Sequence, residues 1–321
     1  MERTWPLRHT FTDGAIERRR GRSLVGHDEV AIHTQSIAHR DAVRVGGWTG
    51  PFDDMLAAMA FETLLYDVTD GVAHIILNRP DAANGINSAM ARDLKDAAIA
   101  CDEDRNVRAV LLRANGKLFC AGGDLRSFAT FGDQTGVEFK RLTTDLHAAL
   151  SRFIRMRAPM VVAVHAAAAG AGFPLAMAGD LVLAGRSASF TMAYTAAGLS
   201  PDGGSTYLLP RLIGLRRAQE LTLLNRRLSA QEAFEWQLVT RVVDDDALVA
   251  DATALAVQLA AGPTEAFGSA KRLLWSSLGD TMEAHMEHEA REITANAVGA
   301  DGSEGIAAFV GKRPPAYRGI R

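Results

Sequence analysis

From Phe61 onward, short apolar runs alternate with stretches whose apolar residues recur at helical spacing. Val72 to Leu77 predicts a strand, closed by the turn signal Asn78-Arg79-Pro80-Asp81. Ser88 to Cys101 places Met90, Leu94, Ala97 and Ala98 on one side of a helix. Val107 to Leu112 predicts the next strand, and Val137 to Met156 a long amphipathic helix that Ala158-Pro159 stops. Met160 to Val164 and Leu181 to Ala184 are apolar enough for buried strands. Ser229-Ala230-Gln231-Glu232 matches a capping box and predicts a helix start, with a strand over Leu238 to Val243. Beyond Leu248 the pattern is mainly helical, including Glu265 to Leu278 and Met282 to Ala297. Strands alternating with helices predict an α/β core with a helical C-terminal portion.

The first sixty residues break this pattern. They carry Arg18-Arg19-Arg20, scattered histidines and Trp48-Thr49-Gly50-Pro51 without sustained periodicity. Acidic residues interrupt the arginines and no apolar segment follows them, which argues against a targeting peptide. Residues 1–60 therefore read as a poorly ordered extension, with Met55 or Met59 as alternative starts. Residues 61–260 read as the core and 261–321 as the C-terminal helical region.

Charge adds little: a net −3 gives no reason to expect nucleic acid or an acidic membrane surface as partner. The longest apolar run, Met160 to Ala178, is interrupted by His165, glycines and Pro174, so it predicts no membrane span. Cys101 and Cys120 form neither a disulfide framework nor a metal cluster, which points to a reducing, cytoplasmic setting.

Candidate chemistry lies in two glycine turns. The predicted strand ending near Leu112 leads to Lys117-Leu-Phe-Cys-Ala-Gly-Gly-Asp124. Glycines after a strand let the backbone turn sharply and bring main-chain N–H groups close to a ligand. About fifty residues later, Val161 to Asp180 repeats the design, with Gly170-Ala171-Gly172 in the turn and a helix starting near Phe173. Two such units supply two N–H donors to one carbonyl oxygen. Tight packing of small side chains explains the second turn equally well on spacing alone.

Together these segments resemble the crotonase superfamily, the enoyl-CoA hydratase/isomerase fold. The resemblance runs from about Phe61 to Arg321. It rests also on Leu77-Asn78-Arg79-Pro80 with Gly85-Ile86-Asn87, on Gly198 to Ser205, on Leu209 to Gly214, and on Glu304 to Pro314. It implies an α/β crotonase (ClpP-like) fold of repeated ββα units with a C-terminal helical trimerisation region. It also implies assembly as a homotrimer or homohexamer. The substrate implied is an acyl-CoA thioester, with no separate cofactor and no metal. Gly123 and Ala171 correspond to the two oxyanion N–H donors. Ala83, Gly85 and Ala121 correspond to residues along the CoA, and Phe309 and Lys312 to residues that approach the CoA of a neighbouring subunit.

The resemblance also exposes a departure. Where hydratases of this family carry two glutamates, this chain has Pro174 and Tyr194. Proline moves no proton, and an ordinary tyrosine is a poor base at neutral pH but can donate a hydrogen bond. Asp202, in Ser200-Pro-Asp-Gly-Gly-Ser205, matches a functional aspartate of several isomerases; the bland alternative is a cap on a helix beginning near Ser205. A single carboxylate suits a proton shuttle between two carbons of an enolisable thioester. The resemblance is thus nearest the branch holding enoyl-CoA and ring-1,2-epoxyphenylacetyl-CoA isomerases, with Tyr194 orienting the acyl group. A hydratase and a catalytically silent acyl-CoA-binding protein are the rival readings. Phe128, Phe131, Met192 and Tyr194 suggest an apolar acyl pocket. Asp124, His165 and Cys120 read as structural, and His285 with His288 as a surface pair lacking a third metal ligand.

Overall fold

The computed structural model describes residues 61–319. The expectation for residues 1–60 lies outside them. In chain order the core contains β1 (Leu64–Thr69), β2 (Val72–Leu77), α1 (Ser88–Glu103), β3 (Ala109–Ala114), α2 (Leu125–Phe128), α3 (Thr135–Arg155), β4 (Met160–Val164), β5 (Ala167–Ala169) and α4 (Gly172–Met177). It continues with β6 (Leu181–Gly185), β7 (Ser189–Thr191), α5 (Ser205–Ile213), α6 (Leu215–Leu224), β8 (Leu228–Ser229), α7 (Ala230–Glu235), β9 (Arg241–Val243) and α8 (Leu248–Ala260). The chain then runs through α9 (Thr264–Ser276), α10 (Met282–Val298) and α11 (Ala300–Val310).

Six strands form the main sheet in the order β1-β2-β3-β4-β6-β9, antiparallel between β1 and β2 and parallel elsewhere. Alternation along the strands sends side chains to two cores. Val110, Leu112, Val162 and Val164 face the large core with α1 and α3, whereas Ala109, Leu111, Val161 and Ala163 pack against α8. On α8 the contacts recur as Leu248, Ala252, Leu255, Ala256 and Ala260, one apolar stripe of a helix. A sheet buried on both faces explains why β4 is apolar at every position.

A second sheet, β5-β7-β8, stands beside the first, with β5 and β7 parallel. None of its strands exceeds three residues. The predicted strand over Leu238 to Val243 is shorter than expected. Leu238 and Val239 are buried in the turn after α7, and only Arg241–Val243 pairs, at the sheet edge. The capping box is present: Ser229 accepts from the Glu232 N–H and Glu232 reaches back to the Ser229 N–H. Lys271 ties α9 to the core, pairing with Asp180 at 2.7 Å and donating to the Phe153 and Ala158 carbonyls. No helix among the described residues is long and apolar enough to cross a membrane.

Candidate active site

The first glycine turn lies in the loop after β3, the second directly follows β5, and the two are packed against each other. Gly122 (φ +104°) and Gly170 (φ +48°) both have left-handed backbone. A Cβ on Gly122 would lie 3.0 Å from the Ala169 carbonyl oxygen and 3.1 Å from Gly170 Cα; one on Gly170 would lie 3.2 Å from Gly122 Cα. Glycine is thus required here by both torsion and contact.

Short β-bridges hold the first turn. Cys120 pairs with Ala168 of β5, accepting from the Ala169 N–H at 2.9 Å and donating its own N–H to Ala167 at 3.2 Å. On the other side, Gly122 O accepts from the Ile86 N–H and the Asp124 N–H donates to Ile86 O. That parallel pairing engages the neighbours of Gly123 and turns the Gly123 N–H away from Ile86. Ala171 precedes α4 with ordinary right-handed torsions (φ −63°, ψ −18°), so alanine is accommodated without strain. Among the described residues neither the Gly123 nor the Ala171 N–H has a protein acceptor.

Asp124 does what its position suggested. Its side chain caps α2 through the Ser127 N–H and pairs with Arg79 at 3.0 Å. Burial works against its charge, but the Ser127 and Arg79 donors outweigh that and hold its pKa below the usual carboxylate range. Arg79 also donates to the Gly85 carbonyl, and the Ala121 N–H donates to Ala83 O at 3.0 Å. The turn containing Ala83 and Gly85 is therefore fastened to the first glycine turn. Cys120 is fully buried; its thiol donates to Asn84 O, and burial pushes its pKa up to about 12. His165 donates from Nε2 to the Gly116 carbonyl at 2.9 Å.

Gly123 and Ala171 border a cavity of about 240 Å³ that also takes in Ala121, Tyr194 and Asp202. Ile86, Phe128, Phe139, Leu142 and Leu146 make most of its wall apolar. Phe128 belongs to it, while Phe131 packs tilted on Phe128 and edge-on against Phe139, outside the wall. Met192 is fully buried core and is not part of the wall.

Asp202 is the sole carboxylate among the described residues lining this cavity. Its side chain does not cap α5, whose N-cap is Gly204; only its main-chain oxygen accepts, from Ser205. Instead, Asp202 Oδ1 accepts a 2.5 Å hydrogen bond from the Tyr194 hydroxyl. Burial, and then the adjacent Asp202 charge, raise the Tyr194 pKa, so the phenol stays protonated and donating. Tyr194 thus orients the carboxylate, a contact its sequence position did not announce.

His147 on α3 also reaches Asp202, with no mark of that role in the sequence. Its Nε2 accepts from the Gly203 N–H at 3.1 Å and lies 3.7 Å from Asp202 Oδ2. One turn away from Leu150 and beside Leu146, it reads in sequence as a polar position on an amphipathic helix. Pro174 supports the same loop from below: a Cβ on Gly203 (φ +61°) would meet Pro174 Cγ at 2.8 Å. Proline is tolerated there because it falls in the first turn of α4. Phe309 and Lys312 lie exposed at the end of α11, outside the cavity wall.

With this geometry in hand, likeness to known proteins is informative. The enoyl-CoA hydratase/isomerase family pattern matches residues 67–320. A 1,2-epoxyphenylacetyl-CoA isomerase of Escherichia coli (strain K12) is 38% identical over 262 residues, covering 80% of this chain and 99% of that protein. A probable enoyl-CoA hydratase of Rhodobacter capsulatus is 35% identical and covers 81% of this chain and 100% of its own length. The crystal structure of a putative enoyl-CoA hydratase/isomerase from Mycobacterium abscessus superposes with a TM-score of 0.76 at 35% identity, covering 80% of this chain and 99% of that one. The architecture is that of the α/β crotonase fold with its C-terminal helices.

Proposed function

Because the chain belongs to the enoyl-CoA hydratase/isomerase family and acts on acyl-CoA thioesters, we propose that it is an isomerase working through a thioester enolate. The observation that carries this reading is Asp202, the one carboxylate among the described residues lining the cavity, beside two turns whose N–H groups have no acceptor among those residues. The thioester oxygen accepts from the Gly123 and Ala171 N–H groups. Asp202 takes the proton from C2 of a 3-enoyl-CoA, and the C–H electron pair moves toward the thioester carbonyl. The dienolate then collapses: the same proton returns at C4 and the double bond moves from C3–C4 to C2–C3. Donors aimed at the developing oxyanion supply about 3–4 kcal/mol each, and general-base catalysis a further 10²–10⁴-fold or so. Tyr194 holds one carboxylate oxygen and leaves the other for the proton.

Ala83, Gly85 and Ala121 are proposed to run along the CoA, with Phe309 and Lys312 serving a neighbouring subunit's CoA. Exposed apolar residues on α10 and α11, Ile293, Ile306 and Phe309 among them, support assembly as a trimer or a pair of trimers.

The test is 3-enoyl-CoA isomerisation by wild type and Asp202→Asn, read as rising conjugated absorbance. The expected result is a kcat loss of roughly 10²–10⁴-fold. An unchanged rate would remove Asp202 from the chemistry. Rapid formation of 3-hydroxyacyl-CoA from a 2-enoyl-CoA would favour a hydratase. Acyl-CoA binding without turnover of either substrate would favour a silent binding protein.

A further inference from the structure

Two imidazoles and a carboxylate that the isomerase reading leaves unused meet where α9 runs into α10. His285 and His288 are i, i+3 neighbours on α10, so they share a face. The third group, which the sequence did not reveal, is Asp280, just ahead of the N-cap Thr281. Asp280 Oδ2 lies 3.3 Å from His288 Nδ1 and 3.6 Å from His285 Nδ1, and the three residues each offer a ligand atom within 4.8 Å of the other two. A separation of 3.6 Å is not a hydrogen bond. It is, however, near the spacing of roughly 3.3 Å between ligand atoms around a tetrahedral ion with bonds of about 2.0–2.1 Å.

Two further contacts fit a ligand role. His285 Nε2, the nitrogen facing away from Asp280, lies 3.6 Å from Glu289 Oε1, beyond a hydrogen bond but within reach of one by a small side-chain rotation. Metal-bound imidazoles commonly direct their second nitrogen to a carboxylate, which fixes the ring and raises its basicity. The positive end of α10 opposes a cation, and the Asp280 and Glu289 charges offset it. We propose that Asp280, His285 and His288 bind one divalent first-row metal ion of the zinc type, leaving a fourth position to water. The ion would staple the α9–α10 corner, away from the catalytic cavity.

The test uses chelator-stripped full-length protein titrated with Zn²⁺ by calorimetry, then with Co²⁺ followed by visible absorption. His9, His27, His33 and His39 also offer imidazoles, so the decisive quantity is the difference between variants. His285→Ala/His288→Ala should lose one zinc equivalent and the tetrahedral cobalt bands. Asp280→Asn, which keeps the side-chain shape, should weaken binding at that site, as should Glu289→Gln by about tenfold. Unchanged circular dichroism would show that the variants fold. Equal zinc stoichiometry and affinity in wild type, the double variant and Asp280→Asn would overturn the proposal. So would the absence of saturable uptake by wild type.

Discussion

Replacing Gly172 with alanine tests whether the packing of the two turns sets the proposed oxyanion donors, the Gly123 and Ala171 N–H groups. Gly172 has helical torsions, so the substitution carries no left-handed penalty and acts through contact alone. The new Cβ would lie 2.6 Å from both Cys120 Cβ and the Cys120 carbonyl oxygen, and 2.9 Å from its sulfur. Comfortable carbon contacts begin near 3.5 Å, so the two segments must part by roughly 0.9 Å. Cys120 cannot yield freely, because its carbonyl and N–H are both bonded to β5. The displacement therefore reaches Ala171, one residue before Gly172, and Gly123, three after Cys120. Overpacking should cost about 1–3 kcal/mol of stability, or roughly 2–12 °C in Tm for a domain of this size. Misplacing the donors should cost kcat about 10²-fold or more, with a smaller effect on KM. Isomerase kinetics and thermal unfolding of the same preparation read both quantities. Gly136→Ala is the control: it lies on α3, where an added Cβ meets nothing within 4 Å, and should keep activity and gain slightly in Tm. A Gly172→Ala enzyme with a lowered Tm but kcat within about threefold of wild type would refute the coupling, given that donor losses are about 10² or more.

Other outcomes follow from the same contacts. Tyr194→Phe removes the 2.5 Å hydrogen bond to Asp202 and should lower kcat about tenfold, a cost near 1.5 kcal/mol, while KM changes little. His147→Ala frees the Gly203 N–H and should lower kcat, whereas His147→Gln, which can still accept, should restore most of it; equal rates for both would show that the bond does not position Asp202. Cys101 and Cys120 are buried with thiols pushed up to about 12, so neither should react with a thiol reagent at neutral pH until denaturant is added; prompt labelling of the native protein would contradict their burial.

Much of this molecule is legible from residue spacing, and the exceptions have physical reasons. The strands β2 and β4 and the helices α1, α3 and α10 carry enough apolar period, or a cap or breaker, to be placed within a few residues. β5, by contrast, is three alanines and has no strand signal of its own; it exists because β7 pairs with it along its length and Cys120 bridges to it. Leu238 and Val239 are apolar because they fill the core, not because they pair. In the site, Gly123, Ala171 and Asp202 are marked by turn chemistry and family likeness. His147 is not, because its role arises only when a loop more than fifty residues away folds over α3. Asp280 is hidden similarly: nothing in its sequence neighbourhood says that it turns back onto α10.

Pro174 carries a consequence for which side chains this pocket can hold. Its ring occupies the space beneath Gly203, leaving no room even for a methyl group on that glycine. The family resemblance puts a hydratase glutamate at the same position, and a longer, charged side chain there would have to displace the loop that carries Asp202. The side chain at position 174 and the loop carrying Asp202 therefore compete for one volume. The seating of the Asp202 loop is thus tied to the residue at position 174, and a larger side chain there is expected to disturb that loop.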